Sequence, residues 1–248
     1  MRLNHHIFPD KQILSQTLGD EVITSIIQGV EKNGYFTLAL AGGSTPKVLY
    51  ELMCEVSNLE RIPWTHVKVF FGDERYVAAD HPDSNYAMAR EALLAEAEVH
   101  GAEIYRVETE LNDPQETARR YHQTILEHVP SQGFAFPRFD LMLLGLGDDG
   151  HTASLFPNTN ALKERDQLVV ANYVDKLNTW RITATYPLIE SAHKVAFIVT
   201  GQNKAKVVYD LFADPQKTTD YPVEPLKHLP QTHWYFDQAA VEDLKGDV

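Results

Sequence analysis

A single cysteine, Cys54, is all the thiol chemistry this sequence carries. No internal disulfide can form, and a place in an apolar helical run predicts a buried, inert thiol in a reducing compartment. Positive charge is scarce as well, with 22 Lys and Arg against 35 Asp and Glu and a formal net charge of −13. Such a field repels polyanions, which argues against nucleic acid and anionic membrane surfaces as partners. An anionic substrate would need a local cationic pocket. No apolar stretch reaches the ~20 residues of a membrane-spanning helix, and residues 1–11 lack the basic region and apolar run of a secretory signal. The expected location is the cytoplasm. Outside the run around residue 151, the histidines (His5, His6, His66, His81, His100, His122, His128, His193, His228 and His233) show no ligand spacing with carboxylates on one helix face, so no metal is expected. Also missing are a Walker loop, a dinucleotide fingerprint and the G-x-S-x-G setting of a serine nucleophile.

What remains is an ordinary globular composition, 44% hydrophobic and 23% charged, long enough at 248 residues for one large core. The expectation is a single domain over residues 1–248. Leu14, Leu18, Val22, Ile26 and Val30 recur every four positions before Gly34, the pattern of an amphipathic helix with a glycine stop. Apolar runs at 3–8, 35–41, 67–71, 104–107, 139–144, 168–173, 179–186 and 195–200 read as strands. Helices are expected from Pro46, after Pro82, over 113–129 and over 202–212. Residues 214–232, with Pro215, Pro222, Pro225 and Pro230, read as loop, and His233 to Phe236 as an edge strand before a terminal helix. Apolar strands alternating with amphipathic helices predict a mostly parallel sheet covered on both faces, with ligands beyond the carboxyl ends of the strands.

Four strand-to-loop junctions carry polar or glycine-rich residues. Gly42-Gly43-Ser44-Thr45-Pro46 leads into a helix amino terminus, where free N–H groups favour an anion; taken alone it reads equally as a plain capped turn. Asp73-Glu74-Arg75 brings two carboxylates and a guanidinium, which by themselves describe a solvated charge cluster as well as a phosphate contact. Gly145 to His151 is the most informative run. An imidazole there suits a general base near neutral pH, and the nearby Asp149 suits the group that orients it, with water as the nucleophile. Lys204 falls in the first turn of a helix, a position that opposes the helix dipole unless an anion is bound. Arg181 lies in the strand candidate at 179–186.

Five of these runs together resemble the family of 6-phosphogluconolactonases and related glucosamine-6-phosphate deaminases. They are Ala41 to Pro46, Phe71 to Arg75, Gly145 to Pro157, Trp180-Arg181-Ile182-Thr183 and Thr200 to Lys204, in that order along the chain. The resemblance implies a three-layer α/β/α fold with a Rossmann-like sheet, as in sugar-phosphate isomerases, deaminases and CoA transferases. It also implies opening of 6-phospho-D-glucono-1,5-lactone to 6-phosphogluconate in the oxidative pentose phosphate pathway, without cofactor. The expected assembly is a monomer or homodimer, a choice the sequence leaves open. On that reading Asp149 and His151 are the catalytic pair. Gly43, Ser44, Arg181 and Lys204 hold the phosphate, with Asp73 and Arg75 beside it. The deaminases carry an acid/base glutamate where this sequence has Phe156, which favours the lactonase. The same fold also serves sugar-phosphate-sensing regulators, but no DNA-binding segment is expected ahead of a core helix that starts near residue 11. The tetrahedral oxyanion needs donors, and Arg75 and the backbone N–H groups of the glycine-rich loops both remain open for that role.

Overall fold

In a computed structural model of the chain, residues 4–214 and 218–246 are described; Leu3 and Pro215 lie outside them. The elements are β1 (Asn4–Phe8), α1 (Lys11–Asn33), β2 (Phe36–Leu40), α2 (Ser44–Met53), α3 (Val56–Leu59), β3 (Val67–Phe71), β4 (Asp73–Arg75), α4 (Asn85–Ala89), α5 (Ala95–Val99) and β5 (Glu103–Ile104). There follow α6 (Pro114–His128), β6 (Leu141–Gly145), β7 (Val169–Val174), β8 (Thr179–Ala184), α7 (Tyr186–Ser191), β9 (Val195–Val199), α8 (Ala205–Phe212) and β10 (Thr232–Asp237).

Helix ends obey local chemistry. Asp10 caps α1 by accepting from Ile13 N–H, and Gly34 closes the helix in the left-handed region at φ 81°. Asp113 caps α6 ahead of Pro114.

Seven strands form a wholly parallel sheet in the order β1-β10-β9-β6-β2-β3-β5. Alternate side chains go to opposite faces. Ala39, Phe70, Met142, Leu144, Phe197 and Trp234 join a core with α6 and α8. Leu38, Leu40, Val69, Leu143, Ile198 and Tyr235 join one with α1 and α2. Period-two alternation with both faces buried is what a three-layer α/β/α sandwich requires.

Strand order fixes the ligand site. From β2 the chain moves outward through β3 to β5, then returns to place β6 on the other side of β2 and continues through β9 to β10. The order therefore reverses between β2 and β6, which is where such sheets open a crevice at their carboxyl ends. The pairing is pinned at its start by Asp140, whose Oδ2 accepts from the N–H and hydroxyl of Thr37, both at 2.8 Å.

A second, antiparallel sheet, β4-β8-β7, lies beside the first. It corrects the expectation that residues 73–75 form a loop, and it holds the strands expected at 168–173 and 179–186 as an antiparallel pair. Ala184 N–H donates to the Gly72 carbonyl and Gly72 N–H to Leu40, so the small sheet is tied to the end of β2. Residues 232–237 are interior rather than edge, because β1 takes the outer position. The expected terminal helix is a short 3-10 turn, Glu242–Gly246. Cys54 is half-buried rather than enclosed.

Candidate active site

The carboxyl ends of β2 and β6 with the loops that follow them, β4 and β8 of the small sheet, and Lys204 beyond β9 line an open cavity of about 200 Å³. Among the residues bordering it are Asp73, Arg75, His151, Phe156, Arg181 and Lys204.

After β6 the chain turns sharply. Gly150 N–H donates to the Gly147 carbonyl, and Gly147 N–H to His151. Two glycines make this possible: Gly150 has φ 74°, and a Cβ on Gly147 would lie 2.0 Å from Nδ1 of His151. The turn brings Oδ1 of Asp149 within 2.5 Å of His151 Nδ1. An ionised carboxylate only accepts, so Nδ1 carries a proton, and it is Nε2 that bears the lone pair whenever the ring is neutral. The imidazole lies flat against Phe156, with ring centroids 4.0 Å apart and planes 21° from parallel. Burial raises the Asp149 pKa, but the hydrogen bond and charge of His151, with that of Lys176, outweigh it and hold the group below its ordinary range. Lys176 Nζ is 3.2 Å from the other oxygen, Oδ2.

Three cations border the cavity. Arg75 and Arg181 are directly paired in register across β4 and β8, so their side chains leave the same face of the small sheet. Arg75 donates to the Asp83 carbonyl at 2.7 Å. The Arg181 guanidinium is pushed below its ordinary pKa by burial and then by the neighbouring Arg75 charge. Lys204 sits at the N-cap of α8. Among the described residues none of the three cations forms an ion pair. Three unpaired cations around one cavity make an electrostatic basin for an anion inside an acidic protein.

Asp73 is held by Ser154, whose hydroxyl donates to Oδ2 at 2.6 Å, and by Asn85, whose amide donates to Oδ1 at 3.3 Å and to the Asp73 carbonyl at 2.9 Å. Its partner in the triplet, Glu74, does something else. Buried to 2% exposure, it accepts from the backbone N–H groups of Arg75, Asn85 and Tyr86 and from the Ser84 hydroxyl. It anchors the start of α4, and burial lifts its pKa despite these donors.

The structure therefore brings Asp73, Arg75, His151, Arg181 and Lys204 to one cavity, with Asp149 behind the imidazole. Gly42 borders that cavity from the β2–α2 turn, whereas Gly43 and Ser44 are exposed and do not border it. Lys176, Asn85 and Ser154 were not singled out from sequence. Lys176 reaches Asp149 across 27 positions, and only the turn signal at Asn178, in the left-handed region at φ 50°, marks its hairpin.

Comparison with known proteins identifies the family. Residues 9–234 match the family described as glucosamine-6-phosphate isomerases/6-phosphogluconolactonase. The chain is 39% identical to a 6-phosphogluconolactonase of Nostoc sp. over 98% of its own length and 99% of that protein's. It superposes on the solved 6-phosphogluconolactonase of Trypanosoma brucei with a TM-score of 0.84 at 30% identity, covering 98% of this chain and 99% of that one. A monomeric glucosamine-6-phosphate deaminase shares the fold, with a TM-score of 0.79 at 18% identity over 97% of this chain and 100% of the other.

Proposed function

Because the chain belongs to the family of glucosamine-6-phosphate isomerases and 6-phosphogluconolactonases, we propose that it is a 6-phosphogluconolactonase in which His151 activates the attacking water. Its reaction is hydrolysis of 6-phospho-D-glucono-1,5-lactone to 6-phosphogluconate in the pentose phosphate pathway. The observation that carries this reading is one cavity bordered both by an Asp-oriented imidazole and by three cations that form no ion pair among the described residues.

Nε2 of His151 takes a proton from water as the oxygen attacks the lactone carbonyl, and Asp149 stabilises the imidazolium through Nδ1. The same proton then passes to the departing ring oxygen. Phe156 supports the ring face and cannot itself exchange a proton, which removes one group an amine-releasing reaction would use. Arg181 and Lys204 hold the phosphate, with Arg75 beside them. Gly43 and Ser44, at the amino terminus of α2 next to Gly42, would add N–H donors to the phosphate from outside the cavity lining. Asp73, fixed by Ser154 and Asn85, accepts from a sugar hydroxyl.

Loss of a general base removes roughly 10²- to 10⁴-fold in rate. His151→Ala should lower kcat by that order with KM little changed, whereas Arg181→Ala and Lys204→Ala should raise KM first. Steady-state kinetics check both, and a His151→Ala protein with wild-type kcat would overturn the assignment.

A further inference from the structure

We propose that Lys176 is a positioning residue for the Asp149–His151 pair, holding the second carboxylate oxygen so that the first stays on the imidazole, and offsetting the carboxylate charge that the imidazole feels. The proposal rests on the reading of His151 as the base.

Both oxygens of Asp149 are engaged, Oδ1 by the side chain and backbone N–H of His151 and Oδ2 by Lys176 at 3.2 Å. Lys176 lies in the Asp175–Leu177 turn that joins β7 to β8, closed by Asn178 N–H donating to the Asp175 carbonyl. Five residues further on, β8 carries Arg181. One hairpin thus supplies a phosphate cation to the cavity and a clamp to the catalytic pair. Stability gives little reason for the clamp, since Lys176 is 68% exposed and such pairs contribute little to folding.

The charge environment gives the effect a sign. Asp148 adjoins Asp149 on the same turn. Asp220, Tyr221 and Lys163 line a surface groove together with Asp148 and Asp149, and the Tyr221 hydroxyl donates to Asp210. Asp73, Arg75, Arg181 and Lys204 face His151 across the cavity. Replacing Lys176 changes none of these groups. It leaves Asp149 with its full charge, which favours the imidazolium, so His151 should lose its proton at higher pH.

The test is the pH dependence of kcat for wild type, Lys176→Met and Lys176→Arg, together with carbon-edited NMR titration of the His151 ring, identified by its loss in His151→Ala. At low salt the Lys176→Met protein should show both the acid limb and the ring titration moved upward by about half a pH unit. Its plateau kcat should fall several-fold while KM changes little. Lys176→Arg should restore both readouts, and ~1 M salt should narrow the gap between wild type and Lys176→Met by screening this exposed pair. An unmoved limb and ring titration in Lys176→Met, with His151→Ala still inactive, would overturn the positioning role while leaving His151 as base. Wild-type turnover in His151→Ala would instead remove the reading on which the proposal rests.

Discussion

Gly147 packs against the imidazole so closely that a Cβ there would lie 2.0 Å from Nδ1. Gly147→Ala must displace the His151 ring, the turn or both, and a misplacement near 1 Å can cost about 100-fold in rate. The expected result is a kcat lowered at least ten-fold in a protein whose melting midpoint stays near wild type, measured by steady-state kinetics beside calorimetry. Wild-type kcat would mean that the ring geometry does not matter. At this scale the sequence was legible where the chemistry is local. Asp149 and His151 are two positions apart on a glycine-rich turn, so their contact follows from their spacing. Lys176 was not legible, because its contact with Asp149 depends on where a hairpin tip lands. Glu74 was read as part of a charged cluster, yet it turns inward and its neighbours Asp73 and Arg75 border the cavity.

Among the elements, α4 depends on a side chain from another element. Its first N–H groups, at Asn85 and Tyr86, donate to Glu74 at 2.7 and 2.8 Å. Glu74→Ala strands these donors and the Arg75 N–H, at about 1–3 kcal/mol for each buried group left unpaired. A loss of about 3 kcal/mol or more in urea unfolding is expected, together with a raised KM, because Asn85 and Arg75 both border the cavity. A change under ~0.5 kcal/mol would contradict the anchoring role. Periodicity found α1 and α6 to within a few residues, since a long repeat and its caps are local signals. It could not give strand direction or partner. The alternation in β7 and β8 is the same whether a strand joins a parallel or an antiparallel neighbour, so the small sheet was missed. The edge assignment for residues 233–236 failed for a related reason, because only the added pairing with β1 makes β10 interior.

For the whole molecule, alternation of apolar strands and amphipathic helices was enough to expect a covered parallel sheet with loops gathered at its carboxyl ends. Strand order was not, and it is the order that places the loops after β2 and β6 side by side at the reversal point. Charge acts at this scale too. A chain with a net charge of −13 concentrates three cations, unpaired among the described residues, at one cavity, so the phosphate should carry much of the substrate recognition. Two charge-assisted contacts at about 1.5–3 kcal/mol each correspond to a preference of roughly 10²- to 10⁴-fold. The most direct measurement is kcat/KM on freshly made 6-phospho-D-glucono-1,5-lactone beside the unphosphorylated lactone, each corrected for spontaneous hydrolysis. A preference of about 100-fold or more for the phosphorylated lactone, largely lost in Arg181→Ala, is the predicted result. Equal kcat/KM on the two lactones would contradict it.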